Sequence, residues 1–464
     1  MNQLVKRNSA RNGFFLLAAV LSVFVGTWFG GGLTTAALAA PEPNEPSLRI
    51  GLMTKQFGIL AESNGAYEIV NVDTNKVQAE YPAGAKTRIG LREGKFVINN
   101  TVVEGDRFRI APRKTQSMER EDRLIEINNR RYRGVVEVFR TQGTTGLTAV
   151  NIVPVEDYVY GLMLRDVSPE WPEQALKAQA VATRSFALYN VGKHKNDGFD
   201  LCAGSDCLVY EGQVGEDARV AKAIKDTRGI VLTHQGYLAA AYFHLSSGGH
   251  TENSENVWNK AYPYLRGVPD PDQTSPYYQW QKRISPSELE GLLKAQGYSL
   301  GSLTAIEVSK RTAAPMNTPD RGVSGRIRTI TFIGKEGVVA LSGEKAQQLL
   351  SVPSSLFDLK IAVPIASIDS NITDSYGDRD VKQIQINLPP SSSGGLLTDR
   401  EGIHRISGQK NETIFIDGFG WGHGVGMSLW GAKTMAEKAI NPGTDYYISI
   451  LKHYYQDVKI GKWY

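Results

Sequence analysis

The chain has 464 residues, 22% of them charged, with a formal net charge of +4. Lys6, Arg7 and Arg11 supply three of those charges, and no acid lies in the first forty residues, so the remainder is close to neutral. That balance lacks the basic footprint that nucleic-acid binding usually leaves, and no nucleic-acid partner is expected.

The first elements read as a targeting segment. Lys6, Arg7 and Arg11 precede an uncharged, largely apolar stretch from Gly13 to Leu33, and Ala37-Leu38-Ala39 then offers small residues to a signal peptidase. Cleavage is placed at Ala39/Ala40, giving a signal peptide over 1–39. The stretch is also just long enough to span a bilayer as an uncleaved anchor. Either way the rest of the chain is expected outside the cytoplasm, in the periplasm or cell envelope. Residues 40–47, rich in Pro and Glu, read as a linker.

About 425 residues follow, enough for one large domain or two to three ordinary ones. From Leu48 to Arg113, LRIGLM, AYEIVNV and KFVINN read as short strands separated by turn residues. Lys114 to Arg131, with MEREDR, reads as an exposed charged loop. Strands resume with YRGVVEVFR and LTAVNIV. An N-terminal β-rich region is therefore set at 48–140, and the main body at 141–464.

The run EQALKAQAVATRSFALYN has no breaker before Gly192 and opens after Pro172 and Glu173, which suit a helix start. Trp171, Ala175, Ala178, Ala182 and Phe186 recur at helical spacing, and the alanines predict close packing. A helix over Ala218 to Arg228, strands GIVLTH and YLAAAYFH, a helix SPSELEGLLKAQ and strands IRTITFIG and GVVALSG follow. Ser354 to Asn411 reads as an irregular insertion containing PPSSSGGLL. The fold class is α+β and β-rich, with an Ala-rich central helix.

Gly418 to Met427 places glycine at every second position, and alternate side chains of a strand point to opposite faces. The segment is read as a thin strand with one bare face, open to a ligand or another backbone, and Phe419, Trp421, His423, Val425 and Met427 on the other. Ser428 suits the cap of the helix that follows. Asp166 is placed in a loop before Pro172. Ser246 to Glu252 forms a small, hydroxyl-rich loop, and Glu252 and Glu255 are further carboxylates. Cys202 and Cys207 stand five apart, with His194 and Asp206 nearby. A short disulfide loop is the simpler account in an oxidising compartment; a zinc site, which would need two more ligands, and free thiols are the alternatives. No serine-hydrolase elbow, HExxH or Walker loop is present.

Four blocks bring these features together: NIVPVEDYVYGLMLRDVSPEWPEQALKAQAVATRSFAL, DLCAGSDCLVYEG, YFHLSSGGHTENSENVW with YPYLRGV, and GFGWGHGVGMSLWGAKTMAEKA with ILKHYY. Through them the chain resembles the SpoIID/LytB family, over roughly Leu48 to Ile460. The resemblance implies action on peptidoglycan, either as a lytic transglycosylase cutting glycan strands or as a non-catalytic amidase enhancer that binds them. It implies a catalytic carboxyl at Asp166, where the family has glutamate. Gln179, Arg184, Ser246, Gly249, Thr251 and His423 would line the groove. Glu170 is a substitute acid at a position the family does not use for chemistry. Leu429 stands where the family usually has glutamine. Asp206 and Leu208 replace a histidine and a glutamine, and that histidine with the cysteines helps hold zinc in some relatives. No metal or other cofactor is therefore expected here. Partners implied are glycan strands and an N-acetylmuramoyl-L-alanine amidase.

Overall fold

The computed structural model describes residues 44–113, 123–362, 402–409, 411–441 and 443–464. The expected signal peptide, residues 40–43 of the linker, residues 114–122 of the charged stretch and residues 363–401 and 410 of the insertion lie outside these. Among the described residues no helix is long and apolar enough to cross a membrane.

The expected N-terminal strands form two sheets. In spatial order the larger holds Leu201–Cys202, Ser47–Gln56, Leu147–Pro154, Val135–Arg140, Arg107–Pro112, Tyr67–Asn71 and Lys76–Tyr81. The smaller holds Arg130–Tyr132, Ile125–Ile127, Gly58–Ser63, Thr87–Arg92, Lys95–Ile98 and Thr101–Val103. Alternate residues such as Ile59, Ile69, Ile89, Phe108, Ile110, Val136 and Val138 are buried in one shared core. The exposed loop expected over Lys114–Arg131 is corrected at its described end, where Ile125–Ile127 and Arg130–Tyr132 make a hairpin. Asn128 and Asn129 turn it at φ 49° and 68°, a conformation asparagine tolerates.

The helices in chain order are α1 (Val155–Asp166), α2 (Glu173–Tyr189), α3 (Ala218–Asp226), α4 (Ser254–Trp258), α5 (Pro286–Ala295), α6 (Gly343–Leu350), α7 (Leu429–Lys438) and α8 (Tyr446–Tyr454). The expected Ala-rich helix is α2, with every residue from Gln174 to Leu188 buried. It is surrounded by α1, α3, α7, α8 and the strand Ile230–His234, so its alanines let neighbours approach on all sides rather than along one stripe. The fold is the β-rich α+β type expected.

YLAAAYFH is not one strand but two short ones, Tyr237–Leu238 and Phe243–His244. Between them the Ala240 amide donates to the Tyr264 hydroxyl, and the Tyr242 amide folds back to the Ala240 carbonyl. A second apolar core collects Ile284, Leu289, Ile306, Ile330, Phe332, Phe357, Ile361 and Ile416. It is built by α5, α6 and two antiparallel sheets of residues 279–419. The insertion expected as irregular from Ser354 contributes strands Phe357–Ala362 and Ile403–Arg405 at its two ends.

Candidate active site

Asp166 is the last residue of α1, a correction to its placement in a loop. The helix stops there because Val167 is extended at φ −131°, ψ 148°, and its amide caps back to the Met163 carbonyl. The carboxyl therefore sits at the carbonyl end of a helix, where the dipole disfavours negative charge. It is half-buried, and burial pushes its pKa up to about 6 against the opposing pull of Arg165. Arg165 is engaged elsewhere, its Nη1 donating to the Val209 carbonyl at 3.0 Å. Glu170 is exposed and pairs with Arg219 Nη1 at 2.8 Å.

Cys202 ends strand Leu201–Cys202 and Cys207 lies in the turn that follows. Cys202 and Cys207 are not bridged in this structure, where a short disulfide loop was expected, and their Sγ atoms lie 2.7 Å apart. His194 reaches Asp206 through Nε2 at 3.0 Å and Asp197 through Nδ1 at 3.2 Å. One ligand atom from each of His194, Cys202, Asp206 and Cys207 falls within 4.8 Å of the others. An N, O, S, S donor set of that size suits tetrahedral zinc, with Asp206 as the oxygen donor.

Of the glycine-alternating segment only Gly418–Phe419 and Met427 lie in strands, and the stretch between is not one, which corrects the sequence expectation. Strand Thr413–Phe419 ends, and Gly420, Gly422, Gly424 and Gly426 then take φ of 70°, 102°, 79° and 73°. Alternation here encodes repeated left-handed corners, not a bare face. A Cβ on Gly424 would lie 1.9 Å from Arg326 Nε, and one on Gly426 would lie 2.1 Å from the Tyr242 carbonyl oxygen. The segment wraps Arg326, the Ser246–Ser247 backbone and His244 rather than pressing on α2. Ser428 caps α7 as expected, its hydroxyl accepting from the Gly431 amide at 3.1 Å.

The Ser246–Thr251 loop is closed by two buried carboxylates that the sequence reading missed. Asp272 accepts from Ser246 Oγ at 2.5 Å, the Gly248 amide at 2.9 Å and the Gly249 amide at 2.8 Å. Asp270 accepts from Ser247 Oγ and the Tyr454 hydroxyl, each at 2.6 Å. Burial and the neighbouring Asp272 push the Asp270 pKa up to about 7. Thr251 Oγ1 accepts from the Val268 amide at 2.8 Å. The only hint in the sequence was the Pro-Asp-Pro-Asp run at 269–272. Glu252 is likewise turned inward, accepting from the Val323 and Ser324 amides at 3.0 Å, and Glu255 pairs with Arg266.

His423 accepts the Val425 amide on Nδ1 at 3.0 Å, and its ring lies among Tyr242, His244 and Trp258. Burial and Arg326 push its pKa down to about 3, so it is a neutral ring. Ser246, Gly249, Thr251 and His423 thus share one cluster. Gln179 and Arg184 lie inside α2. Gln179 Nε2 donates to Thr183 Oγ1 at 3.0 Å, while its Oε1 has no partner among the described residues. Arg184 is fully buried against Glu156. Trp171, shortly after Asp166, meets Trp430 at 5.3 Å, and the Trp430 amide donates to the Leu245 carbonyl. That contact joins the segment leaving Asp166 to the loop cluster.

Residues 143–234 match the family model described as stage II sporulation protein (SpoIID). The stretch contains Asp166, Gln179, Arg184 and both cysteines. The chain is 29% identical over 315 residues to an uncharacterized protein of Brachyspira hyodysenteriae, covering 68% of each. It is 26% identical over 377 residues to the amidase enhancer of Bacillus subtilis, covering 80% of this chain and 49% of that one. It is 27% identical over 343 residues to stage II sporulation protein D of Bacillus amyloliquefaciens, covering 70% of this chain and 78% of that one. The resemblance to the SpoIID/LytB family is thereby borne out, the named relatives being stage II sporulation protein D and an amidase enhancer.

Proposed function

We propose that this chain, as kin of the SpoIID/LytB proteins, is an exported cell-wall remodelling protein that cleaves peptidoglycan glycan strands as a lytic transglycosylase. The observation that carries the reading is the Asp166 carboxyl at the end of α1, with its pKa raised to about 6. A general acid works best when its pKa lies near the operating pH. Asp166 would protonate the glycosidic oxygen as the C1–O bond breaks through an oxocarbenium-like state. Its carboxylate would then take the proton from the muramyl C6 hydroxyl as that oxygen bonds to C1. The strand is cut with a 1,6-anhydro end, no water is consumed, and the acid is regenerated.

Aspartate is one methylene shorter than the family's glutamate, a retreat of roughly 1.5 Å. A misplacement of about 1 Å can cost on the order of 10²-fold in rate, so a slow enzyme is expected. If His194, Cys202, Asp206 and Cys207 hold zinc, the ion would brace the chain beside α1 as a closed structural site.

The second reading is a strand-binding protein that aids an N-acetylmuramoyl-L-alanine amidase without cutting. Two observations favour it: the aspartate substitution, and the similarity to a protein named amidase enhancer. Product analysis separates the two. The purified chain is incubated with stem-peptide-free glycan strands, and anhydromuramyl ends are sought by mass spectrometry. Their absence alongside retained strand binding would replace the first reading with the second.

A further inference from the structure

The polar groups of the Ser246–Gly249 loop are spent on Asp270 and Asp272, so a ligand at this face must be held by something else. Trp421 is 44% exposed, on a backbone fixed from both sides. Its amide donates to the Ser246 carbonyl at 2.8 Å, and its carbonyl accepts the Ser246 amide at 3.3 Å. The Gly420 amide donates to the Tyr278 carbonyl, the Gly422 amide to the Pro353 carbonyl, and Trp280 Nε1 to the Gly420 carbonyl. Tyr277 stands edge-on to the indole at a centroid distance of 5.2 Å. A large aromatic held in place yet left in water loses little freedom when something stacks on it.

The surroundings indicate what stacks. Gln273 to Gln281, the segment carrying Tyr277, contains no Asp, Glu, Lys or Arg. Gly418 to Ala432, the segment carrying Trp421, contains none either. In a chain that is 22% charged, two such segments meet at one aromatic pair, and the charges brought near them come from other elements, Arg311 packing over the Phe419 ring at 4.0 Å and Asp417 accepting from Gln281. A neutral pyranose matches the aromatic pair: its axial C–H bonds carry partial positive charge toward the negative face of an indole, and its equatorial hydroxyls suit amide side chains. A charged polymer would find no counter-charge in either segment.

From this we infer that Trp421 and Tyr277 form a stacking subsite for an N-acetylated pyranose ring of a glycan strand. The inference rests on the glycan reading above and adds the ring-binding residues to it.

The test is equilibrium binding of stem-peptide-free glycan strands and of a soluble β-1,4 N-acetylglucosamine tetramer to the full chain. Wild type is compared with Trp421→Ala, Trp421→Phe and Tyr277→Ala at low and high salt, with thermal melting as a check on folding. The expected result is roughly tenfold weaker strand binding for Trp421→Ala, most of it recovered in Trp421→Phe, and little change with salt. Tyr277→Ala should weaken binding in the same direction, and carries the test if Trp421→Ala does not fold. Wild-type affinity in both alanine variants would overturn the subsite and leave the glycan reading standing. Binding that collapses at high salt would also overturn the subsite, since charge would then hold the strand. A wild-type chain that binds neither probe would overturn the glycan reading and the subsite together.

Discussion

Arg184 and Glu156 close a buried two-pronged ion pair, with Arg184 Nε 3.0 Å from Oε1 and Nη2 2.5 Å from Oε2 of Glu156. Glu156 also accepts the Gly229 amide at 3.0 Å and the Tyr464 hydroxyl at 2.6 Å, and Arg184 Nη1 donates to the Ile230 carbonyl. One carboxylate and one guanidinium therefore tie α1, α2, the strand Ile230–His234 and the C-terminal residue together.

This pair predicts that Arg184→Ala acts on stability. Removing one partner of a buried pair leaves the other charge stranded, a cost of about 3–5 kcal/mol. Denaturant unfolding should show that loss, while strand binding per folded molecule stays at the wild-type level. Reduced binding with unchanged stability would instead put the guanidinium at the ligand.

The glycines predict substitutions of opposite sign. Gly424→Ala combines a φ of 79° with a Cβ placed 1.9 Å from Arg326 Nε. Arg326 is buried and cannot easily retreat, so a loss on the order of 3 kcal/mol is expected. Gly291 lies inside α5 with nothing within 4 Å of a notional Cβ. Gly291→Ala should gain about 0.5–1 kcal/mol through helix propensity. Thermal melts of the two variants should move in opposite directions.

Much of the fold was legible because local pattern and tertiary demand agree. Strands Val135–Arg140 and Leu147–Pro154 and helix α5 with its Ser285–Glu288 capping box are cases of this. Helix α1 was not legible: from Tyr158 to Met163 every residue is buried, so no polar stripe marks a helical period. Alternating glycine is ambiguous for a physical reason. A period of two fits a strand, and it equally fits a chain that turns left-handed at every second residue. At the site, residue type was visible but partners were not. Ser246 pairs with Asp272 and Arg184 with Glu156 only after folding, and these contacts turn expected ligand groups into internal struts.

The turn holding Cys202 and Cys207 predicts a redox-dependent stability. Closing so short a loop by a disulfide would stabilise the chain by about 2 kcal/mol in the chain-entropy account. Chain purified from an oxidising compartment should show no alkylatable thiol when denatured, and reduction should lower its unfolding midpoint. Reduced chain dialysed against zinc should then bind one equivalent, with Asp206→Ala and Cys207→Ser each weakening it, because their donor atoms share one 4.8 Å cluster with His194 and Cys202. Thiols that stay reactive in oxidised chain, together with retained zinc, would make the metal the resident state.

Asp166 predicts that stability and cleavage depend on pH through the same proton. Burial raises its folded-state pKa from 3.8 to about 6, so across that window the native state holds a proton that the unfolded chain has released. Stability therefore falls as pH rises from about 4 to about 6, and the cost of the ionised, half-buried carboxylate persists above that. Asp166→Asn removes the ionisation, so its melting temperature should exceed wild type at pH 7 and converge with it near pH 4. Cleavage should fall with rising pH as well. The protonated carboxyl is the working acid, so wild-type turnover of stem-peptide-free strands should decline through about pH 6, and Asp166→Asn should lose 10²–10⁴-fold below about pH 6, where the wild-type acid is protonated. Asp166→Glu restores the missing methylene and should raise turnover by on the order of 10²-fold. A rate indifferent to both substitutions, with the melting shift still present, would leave Asp166 a buried acid at a helix end and assign any cutting to another carboxyl, Glu170 first.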